Sequence, residues 1–177
     1  MQLKSLMFSA AFAAMISGGA NANILYDFYV GAAAGIGGQT SFIDGHANTD
    51  TAQSYGAVVG LDIPLIRIEA EYNYLTANEN SMQLGLIDAY LKMPAGILQP
   101  YVGAGVGLMF AGDFDLGDAD TTTAYQAMAG ITINTVVLPF HVDVEARALY
   151  VPDAISIAND THDVLHYEGR VKLRYVF

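Results

Sequence analysis

The chain ends in Arg170-Val-Lys-Leu-Arg-Tyr-Val-Phe177, in which charged and apolar side chains alternate as far as position 174. Successive side chains of a β-strand point to opposite faces. A strand here would therefore carry its charges on one face and its apolar side chains on the other. The charged set is Arg170, Lys172 and Arg174, and the apolar set is Val171, Leu173, Tyr175 and Phe177. The stretch predicts a strand that lies between a polar and an apolar environment.

The same period recurs along the chain, most clearly in residues 65–75, where apolar side chains alternate with Arg67, Glu69 and Glu71. Eight segments of about ten residues fit the pattern. They are residues 26–38, 54–63, 65–75, 82–93, 101–110, 123–134, 139–151 and 165–177. The connections alternate in length, being short near 63–65, 94–99 and 135–138 and mostly longer at 39–53, 76–81, 111–122 and 152–164.

The fourth segment departs from this alternation. Leu84 and Leu86 fall on the same face as Asp88 and Lys92, which the other segments reserve for polar side chains. A bulge or a shifted register in this strand would account for the mixture.

Charged residues make up 14% of the chain, whereas a typical soluble domain has about 25%. No apolar run beyond the N-terminal segment reaches the roughly 18 residues of a transmembrane helix. In lipid, every backbone N–H and C=O needs a partner within the protein, and strands meet this condition only in a closed barrel. We therefore predict an all-β fold, an eight-stranded antiparallel transmembrane up-and-down β-barrel. The alternative is a soluble, lipocalin-like barrel in which the two faces are inverted.

Residues 1–22 have the pattern of a secretory signal, with a lysine, an apolar run over residues 6–16 and small residues before a cleavage point between Ala22 and Asn23. The run is too short for a membrane anchor, which needs roughly 20 apolar residues. We expect residues 23–177 to form one barrel domain. Cleavage would remove one lysine and no acid, which changes the net charge from −11 to −12. A charge of this sign disfavours nucleic-acid partners.

Four segments resemble a known family. They are Phe28-Tyr-Val-Gly-Ala-Ala-Ala-Gly35, Ile63-Pro-Leu-Ile-Arg-Ile-Glu-Ala-Glu-Tyr72, Gln99-Pro-Tyr-Val-Gly-Ala-Gly-Val-Gly107 and the aromatic C-terminus. Together they are similar to the small outer-membrane β-barrels that include opacity proteins and OmpA-like barrels. The resemblance implies surface exposure, adhesion, no catalytic residues, and an assembly signal at Tyr175 and Phe177 that the barrel-assembly machinery reads. In bacterial barrels of this kind short connections are periplasmic, so we expect the bacterial outer membrane with both termini in the periplasm.

Ionisable side chains dominate the predicted interior. An eight-stranded barrel is just wide enough for its side chains to fill, so an open channel is not expected. The inward set includes every lysine and arginine after residue 22: Arg67, Glu69, Glu71, Asp88, Lys92, Asp143, Glu145, Arg147, Glu168, Arg170, Lys172 and Arg174. Buried charges need partners. The expected pairs join Asp143 and Glu145 to Arg170, Lys172 and Arg174, and Glu69 and Glu71 to Arg67 and Lys92. Such a network would fill the lumen; the alternative is a proton or ion path.

Two other patterns bear on chemistry. Gly103-x-Gly-x-Gly107 is followed by no helix that could receive a phosphate, and we interpret its glycines as space for bulky side chains from the opposite wall. A hydrolase would need a nucleophile beside a histidine, for which Ser156 and His162 are the candidates, but spacing alone does not establish a bonded pair. We predict no enzyme, no cofactor and no metal site.

The long connections are acidic, and Asp113, Asp115, Asp118 and Asp120 lie close together without matching an EF-hand loop. We interpret them as solvated acids, with a weak divalent-cation site that bridges lipopolysaccharide as the alternative. The predicted function is envelope structure, adhesion or host contact through connections 39–53, 111–122 and 152–164. The alternative is a narrow porin-like channel for ions or small solutes. Expected partners are outer-membrane lipid and lipopolysaccharide, the assembly machinery and a host or surface ligand, with the chain itself a monomer.

Overall fold

The computed structural model describes residues 26–43, 46–77, 80–114, 117–118, 121–135, 138–157 and 160–177. The predicted signal, residues 1–22, and its cleavage point between Ala22 and Asn23 lie outside the described residues and stay predictions. Within the described ranges, no helix combines the length and apolar character that crossing a bilayer requires.

Eight long strands follow one another along the chain. They are β1 (Asp27–Ile43), β2 (His46–Asp62), β3 (Ile66–Ala77), β4 (Asn80–Lys92), β5 (Leu98–Phe114), β6 (Thr122–Asn134), β7 (Phe140–Ile157) and β8 (Asp160–Val176). Each strand pairs antiparallel with the next, and β8 pairs with β1, which closes the sheet. A two-residue strand, Gly117–Asp118, adds to the end of β5. The predicted eight-stranded antiparallel up-and-down barrel is confirmed.

The two faces of the barrel differ in character, as the alternation predicts. Outside, Ile68 and Val171 are 45% and 53% exposed, whereas their inward neighbours Arg67 and Arg170 are buried. Large apolar side chains cover the exterior on all eight strands. An apolar exterior fits lipid and does not fit the soluble alternative, in which the charges would point outward.

The strands at one end of the barrel are longer than predicted. We call this the hairpin end; it is where β1 leads into β2, β3 into β4, β5 into β6 and β7 into β8, and the opposite end is the turn end. β1 continues to Ile43 and β2 starts at His46, so most of the predicted connection 39–53 is paired strand. Most of 152–164 is strand as well. The polar residues of these two segments suggested loops. The hydrogen bonds of a ladder join backbone groups, however, so a ladder can continue through polar residues as long as the neighbouring strand stays in register.

The ladder beside the fourth strand is irregular, but the extra residue is Phe110 of β5 and does not lie in β4 as the sequence suggested. The ladder between β4 and β5 shifts register between Gln83 and Leu84. Met82, Leu84 and Leu86 are buried on the inner face, on the same side as Asp88. β4 itself keeps its alternation, so the mixed pattern reflects a lumen that is itself part apolar.

Inward glycines face large side chains on the adjacent strand, not on the opposite wall as the sequence suggested. Three glycine–tyrosine pairs lie directly across a ladder: Gly60 with Tyr29, Gly103 with Tyr90, and Gly130 with Tyr101. A Cβ atom at Gly130 would lie 2.7 Å from the ring of Tyr101. Each glycine thus leaves room for the neighbouring ring to lie flat against the wall.

Gly107→Ala is expected to lower the free energy of unfolding by about 1–3 kcal/mol, the usual range for overpacking. A methyl group there would collide with the Gly85 carbonyl oxygen and the Leu86 Cα, backbone atoms that cannot rotate away. Urea unfolding of the barrel in lipid vesicles measures the change. Gly169→Ala is the matched control, because a Cβ at Gly169 meets nothing within 4 Å. Equal losses in the two variants would contradict the close packing at Gly107.

Candidate functional site

All twelve predicted inward ionisable residues lie in the lumen. They project from β3, β4, β7 and β8, and the most exposed of them, Lys92, is only 9% exposed. Because Lys4 is the remaining basic residue of the chain, no lysine or arginine in the described residues reaches the outer surface. The lumen holds the positive charge of the barrel.

Arg170 lies at the centre of the ion pairs. Its Nη1 and Nη2 atoms donate to the two Glu71 carboxylate oxygens at 2.6 and 3.1 Å. Its Nε donates to Glu145 at 2.5 Å. Arg147 also bonds Glu71 at 3.1 Å, and pairs with Glu168 at 2.7 Å. The guanidinium of Arg170 thus connects its own strand, β8, to β3 across the lumen and to the adjacent strand β7.

Glu69 is the second junction. Lys172 Nζ donates to it at 2.5 Å, and the hydroxyls of Tyr29 and Tyr90 donate at 2.6 and 3.0 Å. Three donors on three different strands therefore converge on one buried carboxylate. Such saturation is what a charge needs in order to remain ionised away from water.

Asp143 forms the third junction, towards the turn end. Arg174 donates to both of its oxygens at 2.7 and 2.9 Å, Arg67 donates at 3.2 Å, and the Thr132 hydroxyl donates at 2.6 Å. Arg174 reaches on to Asp62 at 3.1 Å.

Arg67 is also held by aromatic rings. Its guanidinium carbon lies 4.0 Å from the centroid of Tyr90 and 4.6 Å from that of Tyr101, within the range of a cation–π contact. The Tyr101 hydroxyl donates to Glu145 at 2.8 Å. The three lumen tyrosines and Asp62 are residues that sequence reasoning missed, although each tyrosine lies at an inward position of the alternation, opposite a glycine.

The pairing inside the lumen corrects part of the prediction. Asp143 and Glu145 do meet Arg174 and Arg170, but Glu69 and Glu71 do not meet Arg67 and Lys92. Lys92 instead pairs with Asp62. The prediction considered neighbouring strands only. The inward residues of β1 and β2 at this level are small, chiefly glycine and alanine, so the long side chains of β8 pass over them and reach β3.

An apolar layer occupies the part of the lumen nearer the hairpin end, and the sequence did not predict it. Its members are buried side chains on β3 to β8: Leu75, Met82, Leu84, Leu86, Met109, Ala124, Leu149, Val151, Ala154 and Val164. The lumen therefore has two fillings, an ion-pair layer towards the turn end and an apolar layer towards the hairpin end. We use these two names below.

Asp88 lies on the inner face of β4, two residues from Leu86 of the apolar layer, and has no cation among its hydrogen-bond partners within the described residues. Gln126 donates to its Oδ1 at 2.5 Å, and its Oδ2 is unbonded. One oxygen each of Asp88, Glu69 and Glu71 lies within 4.8 Å of the others, the spacing of a cation site. Lys172 and Arg170 already neutralise Glu69 and Glu71, so this cluster is an internal part of the ion-pair layer.

The structure describes only some of the other residues that the sequence singled out. The side chains of Ser156, His162 and the acids 113–120 lie outside the described residues. His141 lies at the turn-end rim with its Nδ1 buried and unbonded. Tyr175 and Phe177 project outward and stack edge-on, 5.0 Å between centroids, with Phe140 5.2 Å from Tyr175.

Comparison with solved structures identifies the architecture. Neisserial surface protein A aligns with a TM-score of 0.64 at 16% identity, over 82% of this chain and 96% of that one. The N-terminal β-barrel domain of Pseudomonas aeruginosa OprF aligns with a TM-score of 0.55 at 16% identity, over 84% and 97%. The chain has the fold of the small outer-membrane β-barrels. No family model and no curated protein sequence matches it.

The same fold also occurs in an enzyme. The outer-membrane enzyme PagL aligns with a TM-score of 0.58 at 14% identity, over 80% of this chain and 97% of that one. The fold of small outer-membrane barrels therefore does not by itself decide whether this chain catalyses a reaction. Function has to be argued from the lumen and the surface of this barrel.

Proposed function

We propose that the chain is a non-enzymatic barrel of the bacterial outer membrane that makes surface contacts through its hairpin end. The observation that carries the proposal is the doubly filled lumen. Buried ion pairs occupy the part towards the turn end, and a buried apolar layer occupies the part towards the hairpin end. Because the lumen is filled by side chains, we infer that the barrel functions through its exterior.

The exterior supports a membrane location. Its apolar face ends at the turn end in a group of aromatic rings, Tyr26, Phe28, Phe140, Tyr175 and Phe177. Aromatic girdles of this kind mark the membrane interface of outer-membrane barrels. A spanning strand needs only about 9–11 residues, whereas β1, β2, β5 and β8 have 17 each. The surplus lies at the hairpin end, so we place that end outside the cell and both termini in the periplasm.

The charge distribution indicates what the hairpin end would contact. Segments 39–53, 76–81, 111–122 and 152–164 contain no lysine or arginine. Their acids are Asp44, Asp50, Glu79, Asp113, Asp115, Asp118, Asp120, Asp153, Asp160 and Asp163. We call these segments the acidic rim. A surface of one sign favours partners of the opposite sign, so we propose cationic surface ligands, with outer-membrane lipid, lipopolysaccharide and the assembly machinery as the other partners.

The filled lumen predicts the absence of channel activity. Purified barrel inserted into a planar bilayer is expected to give no stable single-channel steps, because water would have to cross both layers. The control is the unheated gel mobility of the same preparation, which shows that the protein inserted is folded. Stable steps from folded protein would contradict the proposal and favour the porin-like alternative.

A further inference from the structure

One row of inward residues crosses four neighbouring strands, β3 to β6, and places two acids side by side. The row is Glu69, Asp88, Gly105 and Gln126. Glu69 and Asp88 are direct partners in the ladder between β3 and β4, and both are fully buried. Like charges directly opposite each other on one face of a sheet are destabilising. The two acids can therefore both be ionised only if each has a cation of its own.

Asp88 is the lumen acid that lacks such a cation. Every other lumen carboxylate has a lysine or arginine nitrogen at 3.1 Å or less, and no such contact reaches Asp88 in the described part of the chain. The described lumen contains seven carboxylates, Asp62, Glu69, Glu71, Asp88, Asp143, Glu145 and Glu168, and six basic side chains, Arg67, Lys92, Arg147, Arg170, Lys172 and Arg174. Six cations are thus engaged with six acids, and Asp88 is the acid in excess.

His166 does not supply the missing charge. Its Nε2 donates to Glu168 at 3.0 Å, a contact that a neutral imidazole can make, and Glu168 is already paired with Arg147. The other ring nitrogen, Nδ1, is buried and has no partner in the described residues. A charged imidazolium would bury a second N–H there without an acceptor, which costs more than burying the neutral ring.

The surroundings of Asp88 give its two oxygens different roles. Arg147 Nη1 donates to Gln126 Oε1 at 3.3 Å, which turns the amide nitrogen of Gln126 towards Asp88. That nitrogen donates to Asp88 Oδ1 at 2.5 Å. Gly105 makes room for Oδ1, since a Cβ atom at Gly105 would lie 1.7 Å from it. Oδ1 is therefore a hydrogen-bond acceptor, whereas Oδ2 is buried without a partner among the described residues.

A metal ion does not fit this unbonded oxygen. Calcium and magnesium ions take roughly six or more oxygen ligands. One oxygen each of Glu69 and Glu71 lies within 4.8 Å of Asp88, but Lys172 binds Glu69 and Arg170 binds both oxygens of Glu71. The ammonium and guanidinium groups at these oxygens would repel a metal ion. A proton needs one oxygen only.

We propose that Asp88 is a proton-binding site, in which Oδ2 holds a proton at neutral pH and the lumen is thereby electrically balanced. A buried carboxylate without a cation is neutralised in preference to remaining charged, and two neighbouring carboxylates act in the same direction. The groups around the site are Glu69 and Glu71 on β3, Tyr90 on β4, Gly105 on β5, Gln126 on β6, and Lys172 on β8, which reaches Glu69 and the Tyr90 hydroxyl. The inference goes beyond the proposed function and does not depend on which end of the barrel faces outside the cell.

Infrared spectroscopy of the whole barrel in lipid vesicles tests the site. At neutral pH, folded wild-type protein should show the C=O stretching band of a protonated carboxylic acid, which ionised carboxylates lack. The band should shift when the side-chain carboxyl of aspartate carries carbon-13, and it should be absent from Asp88→Asn. Asp27→Asn is the matched control, because it makes the same change at an exposed acid, and it should keep the band.

The outcomes decide between a proton and its alternatives. Absence of the band from folded wild-type protein, or its persistence in Asp88→Asn, would overturn the proposal. One calcium or magnesium ion retained per purified barrel would replace the proton by a metal ion. If Asp88→Asn does not fold, Gln126→Leu serves instead: it removes the donor to Oδ1, so it should shift the band, and an unshifted band would overturn the assignment to Asp88.

The pH dependence of stability is the second test. Unfolding exposes Asp88 to water, where an aspartate has an ordinary pKa of about 3.9, so the unfolded chain releases the proton at neutral pH. The folded state then binds one proton more than the unfolded state, and stability falls as the pH rises. Between about pH 5 and pH 7 the folding equilibrium constant of wild type should fall about tenfold per pH unit relative to that of Asp88→Asn. Urea unfolding in vesicles measures both, and parallel pH profiles would overturn the proposal.

Discussion

Arg170→Leu is expected to lower the free energy of unfolding of the barrel by about 3–5 kcal/mol, the range for removing one partner of a buried ion pair. Arg170 supplies three contacts in the ion-pair layer, two to Glu71 at 2.6 and 3.1 Å and one to Glu145 at 2.5 Å. Leucine would leave Glu71 with Arg147 at 3.1 Å and Asn73 at 2.8 Å. Glu145 would keep the Tyr101 hydroxyl at 2.8 Å and Lys172 at 3.9 Å. The buried carboxylates of Glu71 and Glu145 would then each have too few hydrogen-bond donors to compensate their charges.

Urea unfolding in lipid vesicles measures this loss, with Val171→Leu as the control on the lipid face of the same strand. Adding Glu71→Gln to Arg170→Leu should recover part of the stability, because it removes one of the under-compensated charges. A loss below about 0.5 kcal/mol for Arg170→Leu, the size of an ordinary surface substitution, would show that the ion-pair layer contributes little to stability.

Leu84→Ala is expected to cost about 2–5 kcal/mol, the range for truncating a large apolar side chain in a packed core. Leu84 is fully buried in the apolar layer together with Leu75, Met82 and Leu149, and it lies opposite Met109 in the ladder with β5. The regular ladder with β3 holds the backbone of β4 in place, so the strand cannot move far enough to close the cavity.

Leu91→Ala is the matched control for this prediction, because it is the same substitution on the same strand at a position 63% exposed to the outside. Lipid chains can fill the space that Leu91 vacates, so the loss should be well below that of Leu84→Ala. Equal losses for the two leucines would contradict a packed apolar layer inside the lumen.

Period-2 patterning was enough to predict the barrel, its strand number and the inward position of the twelve ionisable residues assigned to the lumen. It worked best at β3 and β8, where charged and apolar residues alternate without interruption, because a single shift of register would move every charge into lipid. It failed at the ends of β1, β2, β7 and β8. There, apolar and polar residues do not alternate in the sequence although the ladder continues.

The contacts inside the lumen were less predictable than its composition. Strand order in sequence suggested that neighbours pair, and this holds for Glu145 with Arg170 on β7 and β8. Glu71 pairs with the same arginine across the lumen, over the glycines of β1 and β2. Which long side chains cross depends on the stagger of the closed sheet, and the sequence of one strand does not contain that information.

The assignment of every apolar strand face to lipid also failed to predict the apolar layer. Leu84 and Leu86 were the two residues that contradicted the alternation in β4, and they lie inside together with Met82. A rule that assigns apolar residues to lipid cannot recognise an apolar core within the barrel. Apolar residues that break the alternation near the hairpin end are the signal that could have found it.

Heat-modifiable gel mobility of the protein in isolated outer membranes tests the central claim most directly. A closed antiparallel barrel, with β8 bonded to β1 from Tyr29–Val176 to Ser41–Val164, has no free strand from which detergent can unravel it at room temperature. The unheated protein is therefore expected in the outer-membrane fraction, migrating faster than the boiled protein. The same mobility before and after boiling, or absence of the protein from that fraction, would contradict the account.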